Sequence, residues 1–295
     1  MDYLVRHRTT YRYLQDVSYS RQLLHLRPRD MQGQKVTNAE IAITPEPSQR
    51  IARDDAFGNH VEWLALDDAH AVLDIVAESH VRVTAPAPRD PAKSKSWEDV
   101  RALIETPTTP DAVDAVQYSF DSTLTAFTFD VAGYAALSFA RGTPLLAGAI
   151  DLMTRIHKEF RYDTTVTDAT TPVDRVFEIR AGVCQDLAHV GIAAMRSLGL
   201  PARYVSGYLM TRPPPGQEKM LGADASHAWF SVWAPPYGWV DLDPTNNVLS
   251  GESHVTVGWG RDYGDVAPIN GVVTGGGDHV IEVGVDVLPQ PASPR

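Results

Sequence analysis

From Tyr3 to Tyr13 the side chains alternate, with Leu4, Arg6, Arg8, Thr10 and Arg12 on one parity and Val5, His7, Thr9, Tyr11 and Tyr13 on the other. A period of two predicts a strand with one wetter face, so these arginines read as a solvated strand face rather than a binding patch. The runs Ile41 to Thr44, Val61 to Leu66 and Val81 to Val83 repeat the signal, and Pro45, Pro47 and Phe57-Gly58-Asn59 mark turns between them. Residues 1–85 therefore predict an antiparallel β domain. The stretch 86–96 carries Pro86, Pro88 and Pro91 without an apolar period and reads as a linker.

Beyond it the period changes. Leu145, Ile150, Met153, Ile156 and Phe160 share one side of a predicted helix over Thr143 to Phe160, with Pro144 in its first turn. A second helix is predicted from Cys184 to Leu198, with Leu187, Val190, Ala194 and Leu198 on its apolar face and Gly199 and Pro201 stopping it. Three strand-like runs follow, Ala202 to Met210, Ala228 to Trp233 and Gly238 to Leu242. Pro213-Pro214-Pro215-Gly216 reads as an exposed loop between the first two. Asn270-Gly271 and Gly275-Gly276-Gly277-Asp278 look like turns before a last alternating run, Val280 to Val287. A helix followed by consecutive strands gives an α+β class, and residues 97–295 are expected to form one catalytic domain that ends in a C-terminal β segment.

Composition narrows the chemistry. The 295 residues are 43% apolar, enough for a sizeable core, and contain a single cysteine. One thiol excludes intrachain disulfides and Cys-rich zinc sites, and the histidines show no His-Glu-x-x-His spacing, so neither a metal nor a cofactor is expected. The formal net charge of −11 argues against nucleic acid as a partner. No apolar stretch reaches the roughly 20 residues a membrane span needs, and no signal-peptide core follows the arginine-rich start. A cytoplasmic protein without a membrane partner is the expectation.

The lone thiol is placed for chemistry. In Arg180-Ala181-Gly182-Val183-Cys184-Gln185-Asp186 it sits where a glycine-containing loop enters a helix, facing unpaired N–H groups that favour a thiolate. His227 opens a later strand, and Asp241 and Asp243 share one parity near the end of another, so either carboxylate can orient the imidazole. Spacing does not choose between them; the Asp-Pro step at the strand end favours Asp243. His189 is turned away from the thiol on the same helix and reads as packing. Asp186 reads as a brace for the helix start, Arg203 as the partner of a nearby acid, and Trp229 and Trp239 as core.

Four ordered motifs resemble one family. Gly182-Val183-Cys184-Gln185-Asp186, Gly199-Leu200-Pro201-Ala202-Arg203-Tyr204-Val205-Ser206-Gly207-Tyr208, His227-Ala228-Trp229, and Gly238-Trp239 through Asp243-Pro244-Thr245 are similar to the bacterial transglutaminase-like superfamily, a papain-related group of candidate cysteine proteases. Residues 1–85 resemble the β-rich N-terminal region that accompanies this core in bacteria, and Gly260-Arg261-Asp262-Tyr263 with Asp265-Val266 resembles its C-terminal segment.

The resemblance implies a papain-like, transglutaminase-like core, in which a nucleophile helix packs on an antiparallel sheet, and a Cys184, His227, Asp243 triad. The expected reaction is attack on a protein or peptide amide, a thioester, and resolution by water as in a protease or amidase. Resolution by an amine, as in a transglutaminase, and a non-catalytic peptide-binding module are the alternatives. The oxyanion would rest on the Cys184 N–H and a second donor, for which Tyr162 and Gln185 are candidates.

Overall fold

The computed structural model describes residues 1–211 and 226–291, so the predicted loop at Pro213 to Gly216 lies outside the described residues. The chain opens with five strands, β1 (Asp2–Leu24), β2 (Gln34–Thr44), β3 (Gln49–Asp54), β4 (His60–Leu66) and β5 (His70–Val83), in the antiparallel order β2-β5-β1-β4-β3. The alternation at the start of β1 is seen directly: Tyr3, Val5, His7 and Thr9 are buried and Arg6 and Arg8 exposed. The strand continues well past the predicted stretch. Its register on β5 shifts between Arg12 and Val17, and from Ser20 onward its partner on that side is β4.

Helices α1 (Trp97–Glu105), α2 (Pro110–Val116), α3 (Phe129–Ala136) and α4 (Leu145–Glu159) come next, followed by β6 (Arg161–Tyr162), α5 (Val173–Ile179), β7 (Ala181–Gly182) and α6 (Cys184–Ser197). Pro144 stands just outside α4, as its cap. The stretch before α1 is less free than a linker: Tyr237 donates its hydroxyl to the Asp90 carbonyl at 3.0 Å, and Lys95 N–H donates to Pro235 at 2.9 Å.

Strands β8 (Ala202–Leu209), β9 (Ser226–Trp233), β10 (Trp239–Asp243), β11 (Val248–Leu249) and β12 (His254–Gly260) form a second antiparallel sheet in the order β11-β10-β9-β8-β12. Helix α6 packs on one face of it. The two-residue alternation gives that face Tyr204, Ala228, Phe230, Val232, Val240 and Leu242, which share a core with Leu187, Val190, Ala194 and Met195 of the helix. Each such aliphatic or aromatic side chain contributes roughly 1.5–3 kcal/mol by leaving water, and together they fix the height of Cys184 over the sheet.

The last two strands, β13 (Ile269–Gly275) and β14 (His279–Gln290), correct the expected domain division. Both pair with β1, Ile269↔Leu24 through β13 and Val287↔Val5 through β14, so the C-terminal β segment belongs to the N-terminal sheet. Asn270-Gly271 is not a turn either. Gly271 lies inside β13, where an added Cβ would collide with the Gln22 side chain and the Arg21 carbonyl; the glycine serves close strand approach. The turn is at Gly275, Gly276 and Gly277, all with positive φ.

Two amide side chains join the sheets. Gln34 donates to the Thr256 carbonyl at 2.7 Å and accepts from its N–H at 2.8 Å; Asn59 does the same for Trp259, at 2.8 and 2.9 Å. Strand β12 is an edge of the second sheet, and these amides satisfy backbone groups that a further strand would otherwise take.

Candidate active site

Cys184 is the first residue of α6 and is half-buried. Its approach is shaped by Asp186, whose carboxylate accepts from the Val183 N–H and the Thr167 hydroxyl, both at 2.7 Å. Burial raises the Asp186 pKa, and these two bonds work against it. A side chain at Gly182 would run into that carboxylate, which explains the glycine two residues before the thiol.

His227, the second residue of β9, is buried and holds Asp243 Oδ2 through Nε2 at 2.8 Å. Burial alone would lower its pKa. Hydrogen bonding and charge from Asp243 and from the Cys184 thiol outweigh that and raise it to about 9.

Asp243 closes β10 and is fully buried. Burial pushes its pKa up, but bonds from His227, His254 and Asn246 and the charge of His227 hold it well below the usual carboxylate range. Pro244 has no N–H to give. The turn's donors are the Thr245 and Asn246 N–H groups, which reach Asp243 Oδ1 at 3.0 and 3.1 Å, while the Asn246 side chain reaches Oδ2 at 2.7 Å. Asp241 sits two residues back, paired across the sheet with Ser231, and His227 is bonded to Asp243.

The other singled-out residues divide. Tyr162 is half-exposed on β6, and burial followed by the Cys184 and Asp186 charges raises its pKa. The Gln185 amide is engaged elsewhere, donating to the Ala169 carbonyl at 3.1 Å. His189 accepts from the Tyr263 N–H at 3.2 Å, and the Tyr204 ring lies tilted beside it with centres 5.1 Å apart.

Arg203 meets its expectation only in part: the charge of Asp241 acts on it, but no carboxylate among the described residues lies within ion-pairing distance. Its guanidinium instead sits 4.2 Å from the Trp239 ring centre and 3.7 Å from that of Trp259, whose ring Arg29 also covers at 3.2 Å. Trp229 is fully buried beside His227 and His254, their ring centres 5.9 and 5.2 Å away.

Two features escaped the sequence. Asn246 and His254 both bond Asp243, and His227, Asp243 and His254 present nitrogen and oxygen atoms within 4.8 Å of one another. Metal-ligand spacing does not reveal this group because it is assembled from three strands. Asp243 Oδ2 already accepts from three donors at 2.7–3.1 Å, so hydrogen bonds account for the cluster. A cavity of about 820 Å³ lies behind it, lined by Arg203, Trp233, Trp239, Asp241, His254 and Trp259, and Cys184 is not among its walls.

Residues 3–82 match the bacterial transglutaminase-like N-terminal region, and residues 135–244 match the transglutaminase-like superfamily core. An uncharacterised protein of Mycobacterium tuberculosis is 39% identical over 296 residues, covering 97% of this chain and 92% of its own. The chain belongs to the transglutaminase-like superfamily. Its fold is also that of a Cytophaga hutchinsonii protein described as a "Putative Cysteine Protease", with a TM-score of 0.74 at 19% identity over 100% of this chain and 93% of the other. A protein-glutamine gamma-glutamyltransferase of Pseudomonas aeruginosa is 34% identical over 95 residues, 31% of this chain and 14% of that enzyme. Within this superfamily fold the chain presents one thiol, one imidazole and one carboxylate at the start of α6, the start of β9 and the end of β10.

Proposed function

We propose that the protein is a thiol-dependent acyl-transfer enzyme that opens protein or peptide amides, with Cys184 as nucleophile, His227 as acid and base, and Asp243 orienting His227. The observation that carries this reading is the buried His227, bonded to Asp243 at 2.8 Å and held charged up to about pH 9 beside the thiol. The thiolate sulfur attacks the amide carbon, and the C=O electron pair moves to oxygen. That oxyanion rests on the Cys184 N–H, which donates to no described residue, and on the Tyr162 hydroxyl. As the tetrahedral centre collapses, the C–N bond breaks, His227 passes its proton to the leaving amine, and a thioester remains.

Neutral His227 then takes a proton from water, whose oxygen attacks the thioester; collapse releases the acid and regenerates thiolate and imidazolium. Hydrolysis is the leading outcome, because the thiol is half-exposed and water reaches it. Amine transfer is the second reading, favoured by the partial identity to the Pseudomonas aeruginosa enzyme. A glutamine-rich protein incubated with a labelled primary amine separates the two: ammonia or new N-termini without label supports hydrolysis, and covalent label supports transfer. No product of either kind over a panel of protein and peptide amides would refute both.

A further inference from the structure

We propose that His254 is a positioning residue for this reaction: a fixed one-way donor that locks the Asp243 carboxylate in the orientation His227 needs. The inference rests on the acyl-transfer reading but uses a residue outside the triad. His254 Nε2 lies 3.1 Å from Asp243 Oδ2, the same oxygen that His227 bonds at 2.8 Å. Its other nitrogen is already assigned, because the Gly251 N–H donates to His254 Nδ1 at 3.3 Å. An imidazole whose Nδ1 accepts carries its proton on Nε2, and Nε2 faces the carboxylate.

The two histidines on Asp243 therefore have different tasks. His227 exchanges its proton with thiol and leaving group; His254 has an N–H to give and none to receive. A carboxylate can swing about its Cβ–Cγ bond, and a swing would carry Oδ2 away from His227. The Thr245 and Asn246 N–H groups hold Oδ1, and His254 with the Asn246 amide holds Oδ2. With those lone pairs occupied, Asp243 stays an acceptor and leaves the proton on His227.

The ring of His254 is itself held. It is buried, and Trp229 meets it edge-on at 5.2 Å and 83°. Strand β12, which begins at His254, is pinned at Thr256 and Trp259 by Gln34 and Asn59 of the N-terminal sheet. The N-terminal domain thereby takes part in setting the triad acid, through the strand that carries His254.

The test combines a spectrum of the unaltered protein with two substitutions. Ring ¹⁵N shifts of His254 at neutral pH are expected to show a protonated Nε2 and a bare Nδ1; the opposite tautomer overturns the proposal. His254→Leu fills the space without a donor, whereas His254→Gln returns an N–H at the Nε2 position. Iodoacetamide alkylation of Cys184 at pH 6 is expected to slow about tenfold in the leucine variant, the worth of one hydrogen bond to a charged group, and to stay within about threefold of the unaltered protein in the glutamine variant.

A leucine variant as fast as the unaltered protein, or a glutamine variant as slow as the leucine one, overturns the proposal. If the leucine chain does not fold, His254→Asn, whose shorter amide falls short of Asp243, takes its place with the same two outcomes. Should the unaltered Cys184 react no faster than free cysteine, the acyl-transfer reading falls instead, and the tautomer still decides the hydrogen bond.

Discussion

His7 and His227 are both buried, and their surroundings drive them to opposite charge states. His7 lies where β1 meets the second sheet, with the Tyr208 hydroxyl at 2.9 Å and the Thr9 hydroxyl at 3.0 Å. Burial pulls its pKa down to about 4. His227, in the cleft, is almost as inaccessible, and its pKa stands at about 9. Neutral hydroxyls satisfy an imidazole's hydrogen bonds without stabilising its charge; a carboxylate held by several donors does both. The difference between a packing histidine and a candidate catalytic one is thus the carboxylate with the turn that fixes it, and the neighbouring Cys184 thiol.

The largest effect is expected from removing that carboxylate's charge. Asp243→Asn keeps the shape and should cut the rate of amide opening by about 10³–10⁴-fold, as in other triads that lose their acid. The His227 pKa, followed by NMR titration, should fall below 6.5 and approach that of His7. A His227 that still titrates near 9 would show that Asp243 is not what charges it.

Stability should respond to pH on both sides, with His227 on the alkaline side and His7 and the buried His189, also pulled down to about 4, on the acid side. The folded pKa of His227 is raised, so its contribution is fully present below about 6.5 and is lost as pH climbs through about 9. The folded pKa of His7 is depressed, so stability is retained above about 6.5 and is lost as pH falls through about 4. Each of these two contributions is on the order of 3 kcal/mol. Urea unfolding across pH 4 to 9 should lose its alkaline slope in His227→Gln and part of its acid slope in His7→Gln, His189 keeping the rest; an unchanged slope in either variant contradicts the assignment for that residue.

Smaller effects should come from the donors. Asn246→Ala removes the 2.7 Å bond to Asp243 Oδ2 and is expected to cost about tenfold in rate. Its measured signature is a drop in the alkaline limb of the rate profile, which the intact protein should show near pH 9. The least effect belongs to the other region: His7→Gln should leave the rate within about twofold, since surface or packing changes away from the site act on stability. A large loss there would mean that the seam and the cleft are coupled.

Much of this was readable from local patterns. The alternation of Tyr3 to Tyr13 gave the strand, the apolar stripe of Leu187, Val190 and Ala194 gave the nucleophile helix, and three short motifs carried Cys184, His227 and Asp243. Partners across the chain were not readable. Alternation marks a strand but not its neighbour, so nothing near Val285 or Val287 said that β14 would return to β1. His254 and Asn246 had no motif because their role depends on where β12 and the turn after Asp243 come to lie. Arg203 was matched to an acid by charge alone, whereas two indole faces occupy its surroundings. Asn270-Gly271 carried the residues of a turn, and packing against Gln22 required the same glycine.

Whether His227 arms Cys184 can be read from the rate of Cys184 alkylation by iodoacetamide as a function of pH, which needs no knowledge of the substrate. The protein has one cysteine, so the modified mass reports one site. Reaction at pH 6 is expected to run at least about tenfold faster than that of free cysteine, and to lose that advantage in His227→Ala. A Cys184 that reacts at the rate of free cysteine at pH 6, and is indifferent to the removal of His227, would show that His227 does not arm it.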